Sequence, residues 1–260
     1  MKIATWNVNS IRARLDRVLA WLRDHEPDIV CLQEIKTPTD AFPYEAVEAA
    51  GYAAAVRGQK TYNGVAILSR TPADAVIDHL DDEDDASART HREARFLAAR
   101  FGDLHVLNVY VPNGAVVGSD QWAHKLAWLR RLRTFLERHA TPRQPLLLAG
   151  DFNVAPEERD VARPDRWRDS VLFHPEARAA LADLTAWGLV DLVRLHHDGP
   201  GPFSWWDYRN LAFPKNDGLR IDHLFATDPL AARCTGASID RDARKGPKPS
   251  DHAPVVAVFA

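Results

Sequence analysis

Two oxygen-bearing side chains, Asp151 and Asn153, stand two residues apart at the end of the apolar run Leu146-Leu147-Leu148-Ala149, with Gly150 between run and carboxylate. Side chains two apart on an extended backbone point the same way. A carboxylate and a carboxamide therefore converge at a strand end, where hard cations such as Mg2+ find oxygen ligands. The same residue types close or open other apolar runs. Asn7 and Asn9 follow the first, Glu34 the second, and Tyr110 ends the fourth, with Asn113 just beyond it. Asp222 opens the sixth, and Ser250-Asp251-His252 precedes the last. Each has a plainer reading. Asn7 could cap the helix that starts near Ile11. Glu34 could sit on the surface, Tyr110 at a core edge, and Asp222 in an ion pair with Arg220. Asp251-His252 could be a helix cap or turn, and His252 a satisfied structural histidine. Six plain explanations, all falling at strand ends, are a poorer account than one shared site. The chemistry is that of oxygen ligands, one His and one Tyr. No Gly-x-Ser-x-Gly elbow or phosphate-binding glycine loop accompanies them.

The elements that must position these groups are legible as apolar runs at Ile3–Trp6, Ile29–Leu32, Gly64–Ser69, Leu104–Tyr110, Pro145–Ala149, Ile221–Ala226 and Ala253–Phe259. Three amphipathic stretches lie among them. One carries Leu15, Val18, Leu19 and Leu22. A second runs from Gln121 to His139 with Trp122, Leu126, Leu129, Leu132 and Leu136 inward. A third spans Pro175–Trp187 and stops at Gly188. Helices separate only some of the strands; short loops around Thr71-Pro72 and Gly102-Asp103 join others. This pattern predicts an α/β fold of two packed mixed β-sheets flanked by helices.

Composition sets the outer bounds. With 260 residues, 46% hydrophobic and 27% charged, the chain suits a globular protein with a sizeable core. No linker divides it, so one domain over residues 1–260 is expected. A formal charge of −3 argues against a protein that coats nucleic acid but allows a local basic surface. The acidic cluster Asp81 to Asp85 reads as a solvated loop. Cys31 and Cys234 are too few for a disulfide framework and read as free thiols. No apolar run reaches membrane-spanning length. A monomer in a reducing cytoplasm is the expectation.

Across nearly all its length the chain resembles the exonuclease III family of abasic-site DNA endonucleases. The resemblance rests on Thr5-Trp6-Asn7-Val8-Asn9-Ser10, Leu32-Gln33-Glu34-Ile35-Lys36, Tyr110-Val111-Pro112-Asn113-Gly114, Gly150-Asp151-Phe152-Asn153, Trp205-Trp206-Asp207-Tyr208-Arg209, Leu219-Arg220-Ile221-Asp222-His223 and Ser250-Asp251-His252. The Gly-Asp-x-Asn and Ser-Asp-His pieces belong to a wider superfamily of phosphodiesterases and phosphatases. The Trp-Asp-Tyr-Arg and Arg-Ile-Asp pieces are particular to the DNA repair branch. The resemblance implies a four-layer α/β sandwich and a Mg2+-dependent enzyme (Mn2+ being the substitute ion). Its substrate would be double-stranded DNA, incised 5′ to abasic sites or trimmed at 3′ ends. Asn7, Glu34, Asp151, Asn153, Asp251 and His252 match metal-site positions. Asp151 matches the residue that activates water, Asn153 one that orients the nucleophile, and His252 a phosphate contact paired with Asp222. Tyr110 matches a contact to the scissile phosphate. Trp205, Leu219 and Ile221 match the pocket for an abasic sugar, and Asn113 and Arg209 match DNA contacts. Asn9 stands where some relatives carry Asp, and Leu219 where some carry an aromatic. Arg12, Arg57, Lys60, Lys215 and Lys245 are candidate backbone contacts or simply solvated charges. Two rival readings share part of this pattern: a phosphodiesterase or phosphatase of inositol or sphingolipid head groups, and a non-catalytic DNA-binding module.

Overall fold

The computed structural model describes residues 1–80 and 93–260, so the expected solvated loop at Asp81 to Asp85 lies outside the described residues. Among the described residues twelve strands are formed: β1 Lys2–Asn7, β2 Ile29–Gln33, β3 Ala53–Arg57, β4 Val65–Ser69, β5 Ala75–Ile77, β6 Phe96–Phe101, β7 Leu104–Tyr110, β8 Leu146–Asp151, β9 Leu189–Asp191, β10 Asp222–Thr227, β11 Cys234–Ile239 and β12 Val255–Phe259. The helices are α1 Ile11–His25, α2 Tyr44–Ala49, α3 Asp120–His139, α4 Pro164–Trp167, α5 Pro175–Thr185 and α6 Asp228–Ala231. All seven expected runs are strands, and the three expected amphipathic stretches are α1, α3 and α5. The turn at Gly102-Asp103 joins β6 to β7.

The strands form two six-stranded sheets of order β11-β12-β1-β2-β4-β3 and β5-β6-β7-β8-β10-β9. Each sheet has one parallel pair, β1 with β2 and β7 with β8, among antiparallel neighbours. A parallel pair needs a long crossover, and α1 and α3 supply the two.

Alternation along the strands separates the layers. Ala4, Trp6, Val30 and Leu32 face the α1 side of the first sheet. Leu107, Val109, Leu146 and Leu148 face α3 and α5 on the second. The intervening residues, among them Ile3, Cys31, Ile67, Val106, Leu147 and Leu224, fill the core between the sheets. The result is the expected four-layer α/β sandwich. Among the described residues, no helix is long and apolar enough to cross a membrane. Both cysteines are free, Cys31 buried and Cys234 half-buried.

Ser10 caps α1, its hydroxyl accepting from the Ala13 N–H at 3.3 Å. Asn7 is thereby free of the capping task. On α3 the buried stripe is wider than expected: Lys125, Trp128 and Phe135 are buried as well, whereas Leu126 is half-buried.

Candidate active site

The inter-sheet faces change character toward one end of the strands. Ile3, Thr5 and Asn7 alternate along β1; Cys31 and Gln33 along β2; Val106, Asn108 and Tyr110 along β7; Ala149 and Asp151 along β8. Apolar residues thus give way first to a layer of amides and hydroxyls. In that layer Gln33 donates to Asn108 Oδ1 at 2.7 Å and to Thr5 Oγ1 at 2.8 Å. Asn108 donates to the carbonyls of Leu32 and Ala66. This buried bridge bonds one sheet to the other directly beneath the carboxylates. Gln33 Oε1 is left without a partner, but the amide nitrogens of Gln33 and Asn108 are both engaged, and that pairing fixes one alignment of the layers.

Register then assembles the outermost layer. Asp151 pairs with Tyr110 across the parallel ladder and with Asp222 across the antiparallel one. The three side chains form a row over three strands. Asn7, from the other sheet, donates through Nδ2 to Asp151 at 2.9 Å and to Glu34 at 2.8 Å. Its oxygen is taken by the Asn9 N–H at 3.0 Å, so it presents nitrogen rather than oxygen to the carboxylates. Gly150 permits the close parallel packing: a Cβ there would lie 2.0 Å from the Val109 carbonyl oxygen. Glu34 and Asn153 both take left-handed backbone, with φ of 50° and 51°. That conformation is sparsely populated by residues other than glycine and collects at functional sites. For Asn153 it is held by Asp151, whose Oδ1 accepts from the Asn153 N–H at 2.9 Å.

Ligand atoms of Glu34, Asp151 and His252 lie within 4.8 Å of one another. Asp251 is not one of this trio; its carboxylate accepts from Asn9 Nδ2 and from the Trp205 indole N–H, each at 3.0 Å. The Lys36 ammonium sits 2.7 Å from Glu34 and donates to the Asn9 carboxamide oxygen at 2.6 Å. A cationic side chain is thus already drawn into the acidic group. Hard carboxylate oxygens and one imidazole nitrogen fit a divalent cation such as Mg2+ or Mn2+ rather than a thiolate-seeking ion.

Charge is arranged unevenly. Burial pushes Asp151 up to about 7, helped by the Asp222 carboxylate and opposed by His252. Burial also works against a charged His252, but Asp222 and Asp151 outweigh it and raise the imidazole to about 10. Asp222 accepts from His252 Nδ1 at 2.8 Å and from the Ser204 hydroxyl at 2.6 Å. His252 Nε2 stands 3.8 Å from Asp151. A histidine held charged in this way donates through Nε2 and ligates a metal only after losing its proton. Burial raises Glu34, yet Lys36 and Asn7 prevail and lower it. Burial, then Glu34 and Asp151, hold the Tyr110 phenol well above its ordinary range, with Arg95 stacked 4.6 Å over its ring.

One flank carries the pocket residues. Leu219 and Ile221 are fully buried among Val161, Leu172 and Phe173, and half-buried Trp205 packs against that cluster. Isolated bridges link Trp205 to both Leu219 and His252. Of the three pocket candidates, Trp205 alone offers an accessible face, with the two aliphatics as its backing. Asn113 donates to Asn153 Oδ1 at 3.1 Å. Arg209 is exposed and paired with Asp207 at 2.7 Å. Arg12, Lys60, Lys215 and Lys245 are exposed and Arg57 is half-buried; Lys245 is paired with Asp242.

A model of the Endonuclease/Exonuclease/phosphatase family matches residues 4–252. The chain belongs to this family. Its divalent-cation chemistry agrees with the cluster described above. Among relatives in the family, the exodeoxyribonuclease III of Haemophilus influenzae is 37% identical over the whole of both chains. An AP endonuclease from Archaeoglobus fulgidus superposes with a TM-score of 0.94 at 40% identity, covering 100% of this chain and 99% of that one. A Neisseria 3′ phosphatase bound to a product DNA hairpin does so with 0.94 at 37% identity and the same coverage.

Several groups in this family member's site escaped the sequence reading. Ser204, besides donating to Asp222, accepts from the Ile221 and Asp222 N–H groups. Arg220 is fully buried between Asp160 and Asp191, at 2.6 and 2.8 Å. His223, driven down to about 4 by burial and by Arg220, lies 2.8 Å through Nε2 from the Val154 carbonyl. Lys125 did carry a signal, since it interrupts the apolar stripe between Trp122 and Leu129. Ser204 carried none, as nothing in its neighbourhood distinguishes it from a loop serine.

Proposed function

We propose that this chain is a Mg2+-dependent DNA repair nuclease, active as a monomer with one catalytic domain over residues 1–260. It incises duplex DNA 5′ to abasic sites, leaves a 3′ hydroxyl and removes blocked 3′ ends. The observation that carries the reading is the meeting of Glu34, Asp151 and His252 at the rim of the inter-sheet core, with Asp222 behind the imidazole and Trp205 beside it. Two free cysteines fit a reducing cytoplasm.

Phosphodiesters resist attack because their oxygens repel an incoming anion. Glu34 and Asp151, with Asn7 and Asp251 flanking, would hold a divalent cation, which would supply charge neutralisation at the phosphate and the leaving oxygen. Asp151, raised toward neutrality, takes the proton of the attacking water. Asn153 and Asn113 orient that water and the phosphate. His252, kept charged by Asp222, donates to a phosphoryl oxygen, and losing such a donor costs roughly 3 kcal/mol of transition-state stabilisation. Tyr110, kept protonated, is a second donor. Trp205 faces the extruded sugar with Leu219 and Ile221 behind it. A nucleotide without a base costs less to flip out. Arg209, Arg12, Arg57, Lys60, Lys215 and Lys245 meet the backbone through charge.

The Trp205 wall favours DNA over an inositol or sphingolipid head group, and the full set of titratable groups favours an enzyme over a binding module. The test is a labelled duplex with one abasic analogue, incubated with Mg2+ or with EDTA and resolved by product length. Cleavage at the analogue with Mg2+ alone is expected, and Asp151→Asn should abolish it while the duplex still binds. A fully active Asp151→Asn protein, or preferential hydrolysis of a phosphoinositide, would overturn the reading.

A further inference from the structure

Lys125 has a task beyond the groups assigned so far. It is fully buried on the inner face of α3, at a position that Leu or Met would fill without loss of hydration. Its ammonium has three N–H donors and meets three carbonyl oxygens: Asn153 at 2.7 Å, Val171 at 2.6 Å and Asn113 at 3.1 Å. None of these belongs to the helix that carries it. Asn113 and Asn153 are the two amides bonded to each other at the reacting face. Val171 leads into Leu172 and Phe173, which pack behind Trp205. The Asn113 loop is cut to fit this lysine. Gly114 has φ of +95°, and a Cβ there would come within 3.0 Å of Lys125 Cδ and 3.2 Å of the Trp122 ring.

We propose that Lys125 is a positioning residue, holding the carbonyls of Asn113 and Asn153 so that their carboxamides keep their aim at the scissile phosphate. The inference rests on the reading of Asn153 given above. In Lys125→Met three buried carbonyls lose their donor and both asparagines are released. A displacement of about 1 Å at reacting groups can cost roughly 100-fold in rate.

The experiment is a double-mutant cycle of Lys125→Met and Asn153→Ala on an abasic duplex, read well below the melting temperature of either variant. Lys125→Met should lower kcat by roughly 30-fold with KM for the duplex within about threefold. In the Asn153→Ala background the same change should cost less than about threefold, because residues acting through one another are not additive. Additive losses, or a rise in KM with kcat unchanged, would reduce Lys125 to a structural residue. If Asn153→Ala alone left turnover intact, the reading of the site would fail instead. Should Lys125→Met not fold, Lys125→Gln, which keeps two donors, carries the same cycle with the same criteria.

Discussion

The pairing of Asp222 with His252 sets where the enzyme should lose activity in alkali. The imidazole titrates at about 10 instead of 6.5, although complete burial alone would lower it. That difference of about 3.5 pH units corresponds to roughly 5 kcal/mol favouring the charged ring. Asp222 is the leading opposing influence, through its charge and its 2.8 Å hydrogen bond. Asp222→Asn keeps the shape and an acceptor oxygen but removes the charge. If it forfeits somewhat over half of the gain, the alkaline limb of kcat/KM should fall by about two pH units, from near 10 to near 8. Turnover at pH 7 would then change little, while at pH 9 the variant would be about tenfold slower relative to its own optimum. The acid limb follows Asp151, at about 7 or below, and shifts to lower pH as cation concentration rises, since a bound cation favours the carboxylate. Stability gives a second readout. A histidine whose folded pKa is raised contributes fully below 6.5 and loses that contribution as pH rises through 10. Denaturant midpoints of the parent protein should therefore decline across that window, and those of Asp222→Asn should decline less. An alkaline limb that stays near 10 in the variant refutes the assignment of the proton to His252 and of its control to Asp222.

Two other outcomes are expected. Gly150→Ala places a methyl 2.0 Å from the Val109 carbonyl oxygen. It should lower stability by roughly 3 kcal/mol or more in urea titrations, and an unchanged midpoint would mean the β7–β8 ladder is looser than described. Trp205→Ala removes both the pocket wall and the indole N–H that binds Asp251. It should reduce incision at an abasic site more than removal of an ordinary 3′ nucleotide, measured on paired substrates at equal salt; equal losses would separate Trp205 from substrate choice.

Much of this architecture could be read before any coordinates. Central strands are apolar on both faces, and their runs stand out; the long helices carry clean stripes. The strands that escaped notice lie mostly at the margins. β3, β5, β9 and β11 hold sheet edges or pair along one short side, so Ala53–Arg57 or Cys234–Ile239 has only a weak apolar signal. Buried Phe96–Phe101 is the exception, a run diluted by its alanines. The oxygen-bearing residues were visible because each terminates a strand, and strand ends are where alternation stops being apolar. What could not be read is which partner each side chain takes. Residue order alone offers Arg220 as a partner for Asp222, whereas the fold gives Arg220 to Asp160 and Asp191; the Asp222–His252 pair that forms is the one the family resemblance implies. Residue order also could not reveal that Leu219 and Ile221 are backing rather than surface, since both follow from the path of the loop bearing Trp205.

The place of β12 ties distant stretches of the sequence to one ladder. This last strand is not at an edge: it slots between β11 and β1, and the Asp251-His252 pair rides immediately before it. Because β12 bonds to β1 along Lys2–Thr5, the ladder that leads to Asn7 also fixes His252 against Glu34 and Asp151, so a slip of that one ladder would disperse a cluster whose members lie far apart in sequence.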